Sequence, residues 1–102
     1  MIQGKYAYQV DYHKKGKSNG KRSIEVYADD YEEVIWEFLL PILCEKAYGL
    51  DLYRHGVDEK DVVCKKSNNI ISQYSISFRN GDDKVIVEYL IDMEVVGEKN
   101  HY

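Results

Sequence analysis

The chain has 102 residues, 44% hydrophobic and 31% charged, which reads as one globular domain able to form a modest core without a metal or disulfide staple. Its 18 acids exceed its 14 Lys and Arg, and the two cysteines, Cys44 and Cys64, lack metal-ligand spacing, so reduced thiols in a cytoplasm are expected. No apolar run nears the ~20 residues of a membrane span, and the opening "MIQGKYAYQV" lacks the basic start and apolar core of a secretory signal, so a cytoplasmic protein with no membrane partner is expected.

Two features stand apart. There are ten Tyr against two Phe and one Trp, and Tyr, with a broad ring and a polar tip, suits half-buried sheets and binding surfaces. Charge is also unevenly spread. Residues 1–28 carry six cations against Asp11 and Glu25, residues 29–61 carry ten acids against three cations, and residues 62–102 are near balance.

In chain order, "KYAYQVDYH" alternates, with Tyr6, Tyr8, Val10 and Tyr12 on one side and Lys5, Ala7, Gln9, Asp11 and His13 on the other, the period of a half-buried strand. "RSIEVYA" alternates again, and "KKGKSNGKR" between them has the Gly, Ser and Asn of a turn. Residues 4–28 therefore read as a basic β-hairpin.

"ADDYEEVIWEFLL" then opens a helix, with Asp30 and Glu33, or Asp29 and Glu32, spaced as a capping box. Tyr31, Val34, Ile35, Phe38, Leu39, Ile42 and Leu43 follow helical spacing as a core stripe. Pro41 disturbs this by removing the bond to Glu37, so the helix either kinks there or stops and restarts. Gly49 is a plausible C-terminal cap. Trp36, Leu40, Cys44 and Ala47 make a second apolar stripe, which needs cover from the following segment or from a partner.

Residues 50–69 read as an irregular connection in which "VDEKDVVCK" fits a short helix or an edge strand. "IISQYSISFR", the turn "NGDD" and "KVIVEYLIDMEVV" make a second hairpin over 70–97, with Tyr74, Ile76 and Phe78 on one face and Val85, Val87, Tyr89, Ile91, Met93 and Val95 on one face of a long, bent or bulged last strand. Residues 98–102 read as a frayed tail. The expected fold is α+β and two-layered. A four-stranded antiparallel sheet of two hairpins packs on a central kinked helix in the order ββα(α)ββ, as a single domain over 1–102.

"GKS" in the basic loop is not a phosphate-binding loop. The pattern requires a Gly five residues before the Gly-Lys-Ser, where Asp11 stands, and the loop joins two strands rather than a strand and a helix. Its cations, Lys14, Lys15, Lys17, Lys21 and Arg22, fit either a solvated hairpin tip or contacts to nucleic-acid phosphates. Metal sites are not expected, since His13, His55 and His101 are scattered and "NGDDK" and "DEKD" lack calcium-loop spacing. Cys44 with His13 or His55 as a thiolate pair is outweighed by Cys44 as a small core residue. No catalytic residue and no cofactor is expected.

The tyrosines, the helix apolar on two sides and the divided charge fit a non-enzymatic protein that binds a macromolecular partner. Short, acidic, tyrosine-rich single domains without catalytic motifs are similar in style to phage and mobile-element accessory proteins, anti-CRISPR and other anti-defence inhibitors among them. The concrete expectation is an inhibitor whose acidic face, Asp29, Asp30, Glu32, Glu33 and Glu37 with Trp36 as an anchor, occupies a basic groove of a host nuclease or defence complex. The alternatives are a nucleic-acid-binding module using Lys14, Lys15, Lys17, Lys21 and Arg22, and a homodimer formed through Trp36, Leu40 and Cys44.

Overall fold

The computed structural model describes residues 5–16, 20–48 and 59–98. Five strands, β1 (Tyr6–Lys14), β2 (Arg22–Ala28), β3 (Val62–Ser67), β4 (Ile71–Arg79) and β5 (Val85–Glu98), form one antiparallel sheet in the order β2-β1-β5-β4-β3. A helix, α1 (residues 31–48), lies between β2 and β3 in the chain and covers one face. The α+β class and both hairpins are as the alternation implies. The sheet has five strands rather than four, because the segment read as irregular holds a 3₁₀ turn at Glu59–Asp61 followed by the edge strand β3. Val62 at the start of that strand is partly buried, and its other side chains, Val63 included, are all exposed. A solvated edge strand carries no hydrophobic alternation, which is why it is hard to see in sequence. Lys65 and Lys66 are exposed on it, which discourages pairing with another chain.

The two hairpins join through their long strands. β5 lies between β1 and β4, and its pairing shifts register between Ala7 and Tyr8 and again between Phe78 and Arg79, which supplies the irregularity expected of so long a strand. The helix-facing side carries Tyr8, Val10, Tyr12, Tyr74, Ile76, Phe78, Tyr89, Ile91 and Met93, all buried. Each large apolar side chain removed from water in this way contributes about 1.5–3 kcal/mol.

The helix corrects one expectation. It begins with an α turn at Tyr31–Glu33, continues as a π-helix over Val34–Leu39, and returns to α geometry at Leu40–Tyr48. The Leu40 N–H reaches back five residues to the Ile35 carbonyl. The wide turn sits immediately before Pro41, which has no N–H to give Glu37 and whose ring would crowd that carbonyl. The helix thus neither breaks nor restarts at Pro41; it absorbs the proline by adding a residue to the preceding turn.

That extra residue re-sorts the faces. The buried pairs are Val34 and Ile35, then Leu39 and Leu40, then Leu43 and Cys44, a step of five followed by a step of four. Phe38, on the core stripe at regular helical spacing, is 36% exposed, whereas Leu40 and Cys44 are in the core at 3% and 0%. Trp36 is half-buried against the same core. The proposed homodimer face is therefore corrected: two of its three residues are interior, and the second apolar stripe is largely covered within the chain. The Ala47 side chain and the Gly49 cap lie outside the described residues.

Candidate functional site

The acids at the start of α1 divide by role. Asp30 is the N-cap, its Oδ1 accepting from the Glu33 N–H at 2.8 Å. Glu33 reaches back, its Oε1 accepting from the Asp29 N–H at 2.7 Å. Asp29 Oδ1 accepts from the Lys5 N–H at 3.1 Å, tying the start of β1 to the helix entry. Of the two possible boxes the structure uses Asp30 and Glu33, and these carboxylates also face the positive end of the helix dipole. Glu32 and Glu37 are exposed and serve no cap. Trp36 is partly covered by the core rather than projecting as a free anchor.

Asp29 and Asp30 line a cleft of about 740 Å³ together with Tyr6, Tyr8, Tyr31 and Asn68. The cleft forms where the start of β1, the end of β5, the helix entry and the β3–β4 turn meet. Tyr8 is its floor, with ring centroids 5.3 Å from Tyr31 and 6.3 Å from Tyr6. Tyr31 is fixed by its hydroxyl, which donates to the Asn68 carbonyl at 3.0 Å. The Asn68 Oδ1 in turn accepts from the Ile70 and Ile71 N–H groups, shaping that wall. Burial pushes the Tyr8 phenol up to about 12, with Tyr31, Asp30, Tyr6 and Asp29 adding to it. No Lys or Arg lines the cleft among the described residues. Three aromatic rings beside two carboxylates offer a cation both π faces and full negative charges.

The basic loop separates. Lys14 closes β1 and Arg22 opens β2. Lys15 is drawn to β5, its N–H donating to the Glu88 carbonyl at 2.9 Å and its Nζ 3.7 Å from Glu88 Oε1. Lys21 is exposed, Gly16 takes the left-handed φ of +84° that the turn needs, and Lys17 lies outside the described residues. Among the described residues Lys14 and Arg22 line one pocket, while Lys15 turns to Glu88.

The face of the sheet away from the helix is a feature that sequence reasoning gave strand by strand without assembling. Register sets Ser23, Asp11, Asp92 and Gln73 in one row across four strands, and Glu25, Gln9, Glu94 and Ile71 in the next. Asp11 stands directly opposite Asp92. Ser23 Oγ donates to the Asp11 carboxylate, yet among the described residues no ion pair reaches Asp11, Glu25, Asp92 or Glu94.

A second group not foreseen is the pair of Asp61 and Arg79. Asp61 is 4% exposed, and Arg79 Nε donates to its two oxygens at 3.0 and 3.2 Å. Arg79 Nη1 also donates to the Asp83 carbonyl at 3.0 Å, so the pair clamps the start of β3 to the β4–β5 turn.

Cys44 is enclosed in the core, while His13 alternates with buried Tyr12 and lies on the other side of β1, so they do not form a thiolate pair; His55 and His101 lie outside the described residues. Among the described residues there is no group of three or more His, Cys, Asp or Glu placed to hold a metal ion, and no helix long and apolar enough to cross a membrane. Comparison with known proteins finds no family model, no curated sequence and no solved structure that matches this chain.

Proposed function

We propose that this is a non-enzymatic binding protein that acts on a basic protein partner through the acidic, aromatic end of α1. The observation that carries the reading is the convergence of Tyr6, Tyr8 and Tyr31 with Asp29 and Asp30 around one cleft free of lining cations among the described residues. Such a cleft accepts an arginine or lysine side chain, by cation–π contact with the rings and by ion pairing with carboxylate oxygens not committed to capping. Glu32 and Glu37, exposed and outside the cap, extend the negative field along the helix and steer a basic surface toward it. In its most specific form the protein is an inhibitor of phage or mobile-element type that fills a nucleic-acid-binding groove of a host nuclease or defence complex.

Affinity capture with mass spectrometry identifies the partner, and purified components then test the reading. Tyr6→Ala and the charge reversal Glu32→Lys with Glu37→Lys are each expected to weaken the complex about tenfold or more. Nucleic acid is expected to compete with the protein for the partner. Equal affinity for the wild type and both variants would sink the proposal.

A further inference from the structure

At the opposite end of β1 the chemistry reverses. Lys14, Arg22 and Lys46 line one pocket of about 210 Å³, with Tyr12, Tyr89 and His13 also in its wall and no carboxylate among its described lining residues. The strands explain the convergence. Lys14 pairs with Tyr89 across β1 and β5, and Arg22 pairs with Tyr12 across β2 and β1. Tyr12 and Tyr89 are buried on the helix-facing side, so their register partners Lys14 and Arg22 share that side. Lys46, in the last turn of the α-helical segment Leu40–Tyr48, adds the third cation.

All three cations are exposed, and among the described residues none pairs with a carboxylate. The two rings are 5% and 4% exposed with centroids 6.5 Å apart. Neither hydroxyl has a protein hydrogen-bond partner among the described residues. Burial, with Tyr12 adding, pushes the Tyr89 phenol up from its ordinary value. In a chain with more acids than cations, the Lys and Arg side chains among the described lining residues of this pocket meet no carboxylate there.

We infer that this pocket binds a multiply charged oxyanion, a phosphoryl group in particular. Three cations exceed what a single carboxylate neutralises, whereas a phosphoryl group offers several acceptor oxygens and up to two charges. The volume, about 210 Å³, is below the ~300–1,000 Å³ of pockets that enclose whole small-molecule ligands. It suits the anionic group itself, with any remainder of the molecule outside. The site is separate from the acidic cleft, and either reading can fail without the other.

The test is an amide-shift NMR titration of the full chain with pyrophosphate, against acetate at matched ionic strength. Saturable shifts at Tyr12, Lys14, Arg22 and Tyr89 with pyrophosphate but not acetate are expected. Lys46→Ala and Arg22→Ala, both changes of exposed side chains, are each expected to weaken binding about tenfold or more, while Lys65→Ala on the far edge strand leaves it unchanged. Competition with a single-stranded oligonucleotide separates the sources of the phosphoryl group. Displacement of pyrophosphate by the oligonucleotide assigns the site to a phosphodiester, and failure to displace it assigns the site to a free anion. Shifts that do not saturate, equal shifts with acetate, or affinity within about twofold of wild type in both Lys46→Ala and Arg22→Ala would overturn the inference.

Discussion

Replacing Leu40 and Phe38 separately by Ala discriminates between the observed helix and a regular one. In an uninterrupted α-helix Phe38 belongs to the core stripe and Leu40 to the opposite side. In the structure the π turn over Val34–Leu39 places Leu40 at 3% exposure in the core and leaves Phe38 at 36%. A buried Leu→Ala change loses transfer energy and leaves a cavity, at a cost of about 2–5 kcal/mol. Leu40 sits beside the fully buried Leu39, Leu43 and Cys44, which have little room to close the gap, so ~3 kcal/mol is expected. Phe38 is already partly hydrated, and its truncation is expected to cost ~1 kcal/mol. For a domain of this size, with total stability of about 5–15 kcal/mol, the difference is large. Urea unfolding followed by the fluorescence of Trp36 measures both, and the m-value should be unchanged if the native state is intact. A Phe38→Ala cost equal to or greater than that of Leu40→Ala would refute the π-turn register.

Three further outcomes follow from particular contacts. Asp92→Asn removes a like charge set directly opposite Asp11. It is expected to stabilise the fold by about 0.5–1 kcal/mol, an effect that shrinks in high salt, and an unchanged or lowered melting temperature at low salt would count against it. Arg79→Ala strands the buried Asp61 carboxylate. Arg79 is itself 30% exposed, so the cost is expected near 2–3 kcal/mol rather than the ~3–5 kcal/mol of a fully buried pair; urea midpoints should show it to exceed that of Asp83→Ala. Finally, Tyr8 and Tyr74 are both pushed from 10.0 up to about 12, burial being the largest cause. The folded chain then holds these protons after the unfolded chain has released them. Stability is complete below pH 10 and falls as pH rises from 10 toward 12; a flat urea midpoint across that window, or a slope unaltered in Tyr8→Phe, would contradict the assignment.

What was legible in the sequence was what has a period. Tyr6, Tyr8, Val10 and Tyr12, and Tyr74, Ile76 and Phe78, alternate because each strand is wet on one side, and all of these positions face the helix side as read. Asp30 and Glu33 mark the helix start because a capping pair has a fixed spacing. β3 was legible only as one of two options for "VDEKDVVCK", a short helix or an edge strand, because an edge strand has no buried face to impose a pattern. The helix register was not legible because regular periodicity assumes 3.6 residues per turn, and Pro41 shifts the count by one. Juxtapositions were the least visible. Lys46 is 32 residues from Lys14, and nothing local links them to Tyr89. The acidic cleft was half visible, through Asp29 and Asp30, while the tyrosines that make it a cleft come from β1 and the first turn of the helix.

The helix dipole accounts for part of this charge arrangement and isolates the part that needs another explanation. Acids at the start of α1 and Lys46 in its last turn each complement the dipole, worth about 0.3–1 kcal/mol apiece. That argument covers Asp30, Glu33 and Lys46. It does not cover Tyr6 and Tyr31 beside Asp29, nor Lys14 and Arg22, which are on strands and gather around Tyr12 and Tyr89. Stability alone would not gather three cations, unpaired among the described residues, at one end of β1 and leave a cleft with no Lys or Arg among its described lining residues beside two carboxylates at the other. Because β1 runs from the cleft to the pocket, the two sites belong to one rigid element. A partner that presents a basic side chain to the first and an anionic group to the second would engage both ends of that strand at once.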